Sequence, residues 1–163
     1  MNDALSGAAG GTGRTSVREA DAEDFDAIVG LYRQLQPNDP VLAHGEDRVV
    51  FDAILSAPWL TLFVLEQDGA VLATTYLNVV PNLSRGASPY AVIENVVVDE
   101  DHRGTGLGKA ILTATLDAAW AAGCYKAMLL TSSKSAATHA FYRTCGFSPD
   151  EKTAYLARPP ARP

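Results

Sequence analysis

The sequence predicts a mixed α/β (α+β) domain in which a mostly antiparallel sheet of about six to seven strands is flanked by about four helices. Two observations support this class. Two strand-like runs, LTLFVLE and AVLATTYLNVV, are joined by Gln67-Asp68-Gly69, and an Asp-Gly pair in this position is a strong hairpin signal. Further along, the apolar runs YAVIENVVV and KAMLLTS enclose one helical stretch, which indicates a parallel crossover.

The first half of the chain predicts a strand, two helices and the hairpin. TSVREA alternates as a short strand does, and Asp21 occupies a helix N-cap position before an apolar stripe with helical spacing: Phe25, Ile28, Val29, Tyr32 and Leu35. A second helix is predicted over about 47–56, and Pro58 ends it. Residues 58–80 then form the antiparallel pair.

The second half continues with a polar loop, PNLSRGASP, before YAVIENVVV, which is apolar enough for a central strand. Apolar residues recur with helical spacing from Leu107 until Gly123 ends the helix, and KAMLLTS is typical of a buried strand. SAATHAFYRT predicts a short helix that stops at Gly146, and KTAYLAR predicts a last strand. No internal repeat or linker divides this order, so one domain over residues 14–158 is expected.

Length and composition limit the class of protein. A chain of 163 residues is long enough for one ordinary domain and too short for two. Residues 1–13 are expected to form a flexible N-terminal tail and residues 159–163 a C-terminal tail. The net charge of −6, with no segment rich in Lys and Arg, argues against nucleic acid as a partner. No run approaches the roughly 18 apolar residues of a membrane span. The N-terminus lacks the features of a secretory signal, so a cytoplasmic protein without a membrane partner is expected.

The cysteine and histidine residues indicate neither a disulfide framework nor a metal site. Cys124 and Cys145 are the only cysteines and lack C-x-x-C spacing, which favours two reduced thiols. His44, His102 and His139 are scattered through the chain without the spacing of zinc ligands. The sequence therefore predicts no bound metal.

The most informative segment is VVVDEDHRGTGLGKAIL, residues 96–112, in which an apolar strand gives way to a helix through a glycine-rich turn. Gly104, Gly106 and Gly108 lack Cβ atoms, so the backbone can turn tightly and bring the N–H groups of residues 104–110 to face one point. The unsatisfied donors and the positive dipole end of a helix N-terminus favour a phosphate there, and Arg103 adds a full charge. We therefore predict an anion site at this turn.

The spacing of the turn argues against two common phosphate-binding motifs. A P-loop would need a glycine at the position of Arg103 and a Ser or Thr at Ala110. A dinucleotide-binding fingerprint would need a glycine at Lys109. Neither ATP nor NAD is therefore favoured. The alternative is a turn that only packs the helix on the strand, and three alternating glycines after an arginine exceed what packing requires.

The turn has the spacing Arg103-x-x-Gly106-x-Gly108. With this spacing, the chain resembles the GNAT superfamily of acyl-CoA-dependent N-acetyltransferases. The likeness covers about residues 14–158 and includes the order of the elements. VVVDEDHRGTGLGKAIL is similar to the family's pyrophosphate-binding turn, and HAFYRTCGF is similar to its second signature. The resemblance implies the GNAT fold.

The resemblance also implies that acetyl-CoA is the cosubstrate. The turn would bind the CoA pyrophosphate, and the end of the preceding strand would pair through its backbone with the pantetheine arm. Many relatives place an asparagine seven residues before the signature tyrosine, where this chain has Ser135. The residues that the resemblance assigns to cosubstrate binding are Val96, Val97, Val98, Arg103, Gly104, Thr105, Gly106, Leu107, Gly108, Lys109, Ser133, Ser135 and Tyr142.

Acetyl transfer to an amine needs a neutral nucleophile, a polarised thioester carbonyl and a proton for the departing thiolate. Glu94 is the candidate base, since it interrupts an apolar strand four residues before Val98 and resembles the carboxylate in IEDxxV sequences of glucosamine-phosphate acetyltransferases. Its alternatives are a substrate-positioning role and a place on a solvated face. The resemblance further implies a bent strand whose free N–H, predicted at Val96, faces the acetyl oxygen. It also implies a hydrogen bond from Tyr142 to the CoA sulfur.

The leading interpretation is an enzyme that transfers an acetyl group from acetyl-CoA to a primary amine of a small molecule by direct attack in a ternary complex. Two alternatives stay open: a non-catalytic CoA-binding sensor or interaction domain, and an acyltransferase that uses another acyl-CoA. The acceptor is expected to bind at two segments, about 36–48 and 81–90. Their sequences do not indicate its chemistry, so its identity stays open. A homodimer is compatible with the resemblance, since relatives often pair through sheet edges.

Overall fold

The computed structural model describes residues 14–42 and 45–160, which divide into two compact units, one ending at Leu130 and the other beginning at Thr131. The first unit contains the sheet, and the second contains one helix. The predicted tail at residues 1–13, the last three residues of the predicted C-terminal tail and His44 lie outside the described residues.

The first unit is a five-stranded mixed sheet with helices. Its elements are β1 (Thr15–Glu19), α1 (Phe25–Leu35), α2 (Glu46–Ser56), β2 (Leu60–Gln67), β3 (Ala70–Val80), α3 (Ser84–Ala87), β4 (Tyr90–Val98), α4 (Leu107–Ala121) and β5 (Ala127–Met128). The strands lie in sequence order, with β1 to β4 antiparallel and β5 parallel to β4. The predicted class, with its hairpin and its parallel crossover, is confirmed.

The predicted number of strands is too high for the residues that the structure describes. KAMLLTS forms a strand only at Ala127–Met128, and KTAYLAR forms none. After β5, the hydroxyls of Thr131 and Ser133 accept hydrogen bonds from backbone N–H groups at 133 and 135, which competes with strand pairing. In KTAYLAR the side chain of Tyr155 is 94 % exposed. The alternating pattern of KTAYLAR suits a strand, but the segment pairs with none of the strands in the described residues.

The hairpin between β2 and β3 turns at Asp68 and Gly69. Their φ angles of 53° and 84° are both left-handed, as a two-residue turn that matches the twist of the strands requires. Asp68 also accepts a hydrogen bond from the backbone N–H of Arg14 at 3.1 Å, which holds the start of the described chain against the turn.

Helices α1 and α2 pack on one face of the sheet. The apolar stripe predicted for α1 supplies Ile28, which is buried with Phe51 of α2 and with Leu62 and Val64 of β2. The side chain of Tyr76 packs against this cluster from β3. The hydrophobic core on this face of the sheet is therefore centred on β2.

Helix α4 covers the other face and packs chiefly against β3 and β4. The hydroxyls of Thr115 in α4 and Thr75 in β3 share a hydrogen bond of 2.6 Å, and both side chains are fully buried. Because side chains alternate along a strand, Thr75 faces α4 while Tyr76 faces the side of α1 and α2. The sheet therefore separates α4 from α1 and α2.

A partly buried ion pair joins β1 to the start of α1. Arg18 contacts both carboxylate oxygens of Asp24, at 2.6 and 2.9 Å, and also reaches Glu66 of β2 at 3.2 Å. Asp24 is only 5 % exposed, and the hydrogen bonds from Arg18 hold its pKa below the ordinary value of an aspartate. This pair fixes the N-terminal end of α1 to the sheet.

No helix among the residues that the structure describes is long and apolar enough to cross a membrane.

Candidate active site

The glycine-rich turn connects the end of β4 to the start of α4. β4 ends at Val98, a short 3-10 helix covers Glu100–His102, and α4 begins at Leu107, as predicted. Gly104 and Gly106 have φ angles of 79° and 94°, in the region that favours glycine. A Cβ atom on either glycine would meet no heavy atom of the described chain within 4 Å. The space in front of the turn is therefore open to a ligand that approaches the backbone closely.

Side-chain hydrogen bonds hold this turn against α1. Gln34 of α1 donates to Asp99 at 3.0 Å and accepts a hydrogen bond from the backbone N–H of Glu100 at 2.9 Å. Asp99 also lies 2.8 Å from Nδ1 of His102 and accepts a hydrogen bond from the N–H of Asp101. The bonds from Gln34 and His102 hold the pKa of Asp99 below its ordinary value, so this carboxylate stays ionised while it supports the turn.

Two further bonds shape the turn itself. Arg103 donates Nε–H to the carbonyl of Val98 at 3.2 Å, and the Thr105 hydroxyl donates to the carbonyl of His102 at 2.6 Å. Both side chains are exposed. The guanidinium of Arg103 is therefore held beside the end of β4 while it stays accessible to an anion.

The N-terminus of α4 offers backbone donors at the same place. Gly106 occupies the N-cap and supplies no side-chain cap, and the first helical hydrogen bond runs from the N–H of Ala110 to the carbonyl of Gly106 at 3.1 Å. The N–H groups of residues 107–109 therefore have no partner within the helix. These donors, the positive end of the helix dipole, Arg103 and the exposed Lys109 fit a phosphate-bearing ligand.

A bulge interrupts the pairing of β3 with β4. The register shifts between Thr74 and Tyr76, so that two residues of β4, Asn95 and Val96, stand opposite one residue of β3. Asn95 has a φ angle of 50°, which is unusual for a residue other than glycine, although asparagine adopts it more readily than most. The strand therefore bends beside Val96, as the resemblance implies, and the role of the Val96 N–H stays a prediction.

An open cleft of about 420 Å³ lies beside this bulge. Side chains of β3 and β4 line it: Tyr76, Asn78, Val80, Val92, Glu94 and Asn95. Glu94, the predicted base, is half-buried and stands opposite Tyr76 in the sheet. It is the one ionisable carboxylate among these six residues, whereas the other polar groups of the lining are a phenol and two amides. The arrangement can accept a cationic or polar molecule and remove a proton from it.

A half-buried tyrosine of α1, Tyr32, has its hydroxyl near two residues of this cleft, Asn95 and Tyr76. Its hydroxyl is buried and has no hydrogen-bond partner of good geometry within the described part of the chain. Burial raises its pKa to about 12, an effect that the nearby Asn95 side chain partly offsets. Burial also raises the pKa of Tyr76. The sequence predicts Tyr32 only as part of the apolar stripe of α1, and helical spacing does not indicate that its hydroxyl lies near Asn95.

The second unit contains the remaining predicted residues on and before α5 (Ala136–Thr144). Ser135 is the N-cap of this helix, and its N–H donates to the Ser133 hydroxyl at 3.2 Å. The Tyr142 ring lies 5.2 Å from the ring of Phe141 and 6.2 Å from that of Phe147, and burial raises the pKa of its hydroxyl. This hydroxyl is therefore a protonated donor at neutral pH.

The first unit thus contains Glu94, Val96 to Val98 and the turn from Arg103 to Lys109 on one continuous stretch of β4, turn and α4. Ser133, Ser135 and Tyr142 belong to the second unit. No group of three or more His, Cys, Asp or Glu residues in the described ranges could hold a metal ion.

Comparison with known proteins defines the class. Residues 25–147 match the Acetyltransferase (GNAT) family. A solved structure from Agrobacterium tumefaciens str. C58, titled "Putative acetyltransferase", is 44 % identical, with a TM-score of 0.83 over 88 % of this chain and 99 % of that chain. The fold and its turn are therefore those of an acetyltransferase. This chain belongs to the Acetyltransferase (GNAT) family.

Two curated relatives carry more specific names. "Glucosamine 6-phosphate N-acetyltransferase" of Trypanosoma brucei brucei is 35 % identical over 95 residues, which are 58 % of this chain and 63 % of that protein. "Probable glucosamine 6-phosphate N-acetyltransferase 2" of Oryza sativa subsp. japonica is 36 % identical over 137 residues, 80 % of each chain. The predicted family and enzyme class are confirmed, and acetyl-CoA as the predicted cosubstrate agrees with them.

Proposed function

We propose that this chain transfers the acetyl group of acetyl-CoA to the primary amine of a small polar molecule, and that the acceptor is an amino sugar phosphate. The observation that carries the proposal is the course of β4, which presents Glu94 to the open cleft, bends at Asn95 and leads into the glycine turn. The names of the two curated relatives support the class of acceptor.

The cosubstrate would be held by its phosphates at the turn. The N–H groups at the start of α4 and the side chains of Arg103 and Lys109 would bind the CoA pyrophosphate. The backbone of Val96 to Val98 would pair with the pantetheine arm, which would bring the thioester to the bent part of β4. The side chains of Arg103 and Lys109 are exposed, and the N–H groups at the start of α4 lack a partner within the helix.

The chemistry requires the ammonium nitrogen to lose two protons and to take up the acyl group. An alkyl ammonium has a pKa of about 10, so the carboxylate of Glu94 would take a proton from it, directly or through water. The nitrogen would then bond to the thioester carbon while the carbon–sulfur bond breaks, and the second proton that the nitrogen loses would pass to the departing thiolate. We assign stabilisation of the oxyanion to the Val96 N–H and a hydrogen bond to the departing thiolate to the Tyr142 hydroxyl.

The first test is a calorimetric titration of the purified protein with acetyl-CoA, with ATP and NAD as controls. Binding of acetyl-CoA alone justifies an assay of free thiol released in the presence of glucosamine 6-phosphate, glucosamine and spermidine. We expect the highest kcat/KM with glucosamine 6-phosphate. The proposal would be refuted if folded, CoA-free protein did not bind acetyl-CoA in this titration.

The role of Glu94 is tested by Glu94→Gln, with Glu23→Gln as the control because Glu23 is exposed and does not line the cleft. Loss of a general base lowers turnover by roughly 10²-fold or more. We expect that loss in kcat for Glu94→Gln, with acetyl-CoA affinity within twofold of the wild type and no change for the control. An unchanged kcat near neutral pH would remove Glu94 from the mechanism.

A further inference from the structure

The hydroxyl of Tyr32 is a polar group that neither the fold nor the proposed chemistry uses. The Tyr32 ring packs on the core of α1, α2 and β2, as its place in the apolar stripe predicts. Its hydroxyl is buried without a hydrogen-bond partner of good geometry in the described chain. Buried polar groups are nearly always paired, and an unpaired one costs stability that a phenylalanine would not. The packing of the ring therefore does not explain the hydroxyl.

The surroundings of this hydroxyl belong to the cleft. The Asn95 side chain is close enough to lower the pKa of the hydroxyl as a hydrogen-bonding group, although the two do not form a hydrogen bond of good geometry, and Tyr76 raises that pKa. Both residues are among the six that line the cleft. Asn95 is also the left-handed residue of the β4 bulge and has an exposed side chain. The hydroxyl therefore lies near two residues of the cleft lining, one of which is the bulge residue of β4.

The donor property of the group is constant over the working pH range. A phenol shielded from water remains protonated at neutral pH, so it can donate a hydrogen bond without a change of charge. The side chain of Glu94 is in the same cleft and, when ionised, can accept hydrogen bonds but cannot donate them. The two groups therefore suit different atoms of one molecule, a nitrogen for Glu94 and an oxygen for Tyr32.

We propose that Tyr32 is a binding residue for the acceptor, and that its hydroxyl donates a hydrogen bond to an oxygen atom near the reacting amine. This inference rests on the proposed function and adds a residue that specifies the acceptor. It favours amines with a neighbouring hydroxyl, as amino sugars have, over simple alkyl amines. Asn95 and Tyr76 then complete a neutral, hydrogen-bonding wall around the acceptor.

The test compares Tyr32→Phe with the wild type and with Tyr125→Phe, a control whose hydroxyl is not part of the cleft lining. The acceptor is glucosamine 6-phosphate, or the fastest amine of the panel if that is another one. Loss of a neutral hydrogen bond predicts a KM for the acceptor about five- to tenfold higher. We expect kcat and the KM for acetyl-CoA to stay within twofold, and the control to match the wild type.

Thermal stability separates this role from a structural one. Because the hydroxyl has no hydrogen-bond partner of good geometry to lose in the described chain, Tyr32→Phe should melt at the same temperature as the wild type or higher. A melting temperature several degrees lower would show that the hydroxyl has a partner inside the fold, and an unchanged acceptor KM would show that the substrate does not touch it. Either result overturns the inference. A lower kcat with an unchanged acceptor KM would overturn it too, since the hydroxyl would then act on the acetyl group.

Different results would contradict the proposed function and the role of Tyr32. A wild-type protein that binds acetyl-CoA but acetylates no amine, and that binds no glucosamine 6-phosphate in its CoA complex, contradicts both. A wild-type protein that is active, with a Tyr32→Phe variant that is equally active at low acceptor concentration, contradicts only the role of Tyr32.

Discussion

Replacing Gly106 by alanine tests the phosphate site with a control that the fold itself provides. Gly106 at the turn and Gly69 in the β2–β3 hairpin have similar left-handed φ angles, 94° and 84°. A Cβ atom at either position would meet no heavy atom of the described chain within 4 Å. Gly106→Ala and Gly69→Ala therefore impose the same kind of backbone strain without a clash. They differ in what the new methyl group faces.

The magnitude of the strain follows from the backbone angles. A residue with a Cβ atom in the left-handed region costs about 1–2 kcal/mol. For a chain of this size, each kcal/mol lowers the melting temperature by about 2–4 °C, so both variants should melt roughly 2–8 °C lower than the wild type. Only at Gly106 does the methyl group enter the space in front of the α4 donors. Loss of one hydrogen bond to a charged phosphate costs about 1.5–3 kcal/mol, which is roughly a 10- to 150-fold weaker affinity.

The assay is a calorimetric titration of each variant with acetyl-CoA at a temperature well below its melting point. We expect weaker binding for Gly106→Ala and wild-type affinity for Gly69→Ala, with similar losses in melting temperature. Full affinity in Gly106→Ala would refute the assignment of the turn to the pyrophosphate. Equal losses of affinity in both variants would refute the reasoning as well, because strain alone would then explain the effect.

Two more predictions concern stability and turnover. Asp24→Asn removes the charge that Arg18 holds, and we expect a loss of about 1–3 kcal/mol at pH 7 in urea unfolding. Because Arg18 lowers the pKa of Asp24 in the folded state, this contribution is complete above the unfolded pKa of about 4 and disappears as the pH falls through the lower folded value. The difference between variant and wild type should therefore narrow below about pH 4, and a constant difference would contradict the prediction. Tyr142→Phe removes the proposed donor to the thiolate, so we expect kcat to fall about tenfold with acetyl-CoA affinity within threefold; an unchanged kcat would exclude that role.

The parts of the site that depend on local backbone chemistry could be predicted from the sequence. Gly104 and Gly106 stand where the chain needs left-handed angles, and Leu107 begins α4 as the apolar spacing predicts. The hairpin at Asp68-Gly69 was predictable for the same reason, since an Asp-Gly pair tolerates the angles of a tight turn. In these places one or two neighbouring residues fix the geometry, so the sequence contains the whole cause.

The parts that depend on distant partners could not be predicted. YAVIENVVV shows a strand, but the bulge at Asn95 arises from its register with β3, which no local pattern records. KTAYLAR has the pattern of a strand and no neighbour to pair with in the described chain, so pattern alone gave one strand too many. The cleft is likewise made by two strands in register. Glu94 could be singled out because a charge in an apolar run is unusual and because its segment resembles IEDxxV sequences, and neither feature indicates the cleft itself.

Helix α1 contacts both the glycine-rich turn and the β4 bulge, each through a different polar residue. Gln34 hydrogen-bonds Asp99 and the N–H of Glu100 at the turn, while Tyr32 places its hydroxyl beside Asn95 at the bulge. Residues two apart in a helix do not share a face, so these contacts require α1 to lie with one side toward the bulge and another toward the turn. The apolar stripe of α1 describes only the side that meets the core. Gln34, next to the stripe, and the hydroxyl of Tyr32, within it, are the polar groups through which α1 contacts the turn and the bulge. Their positions connect this helix to the candidate site as well as to the core.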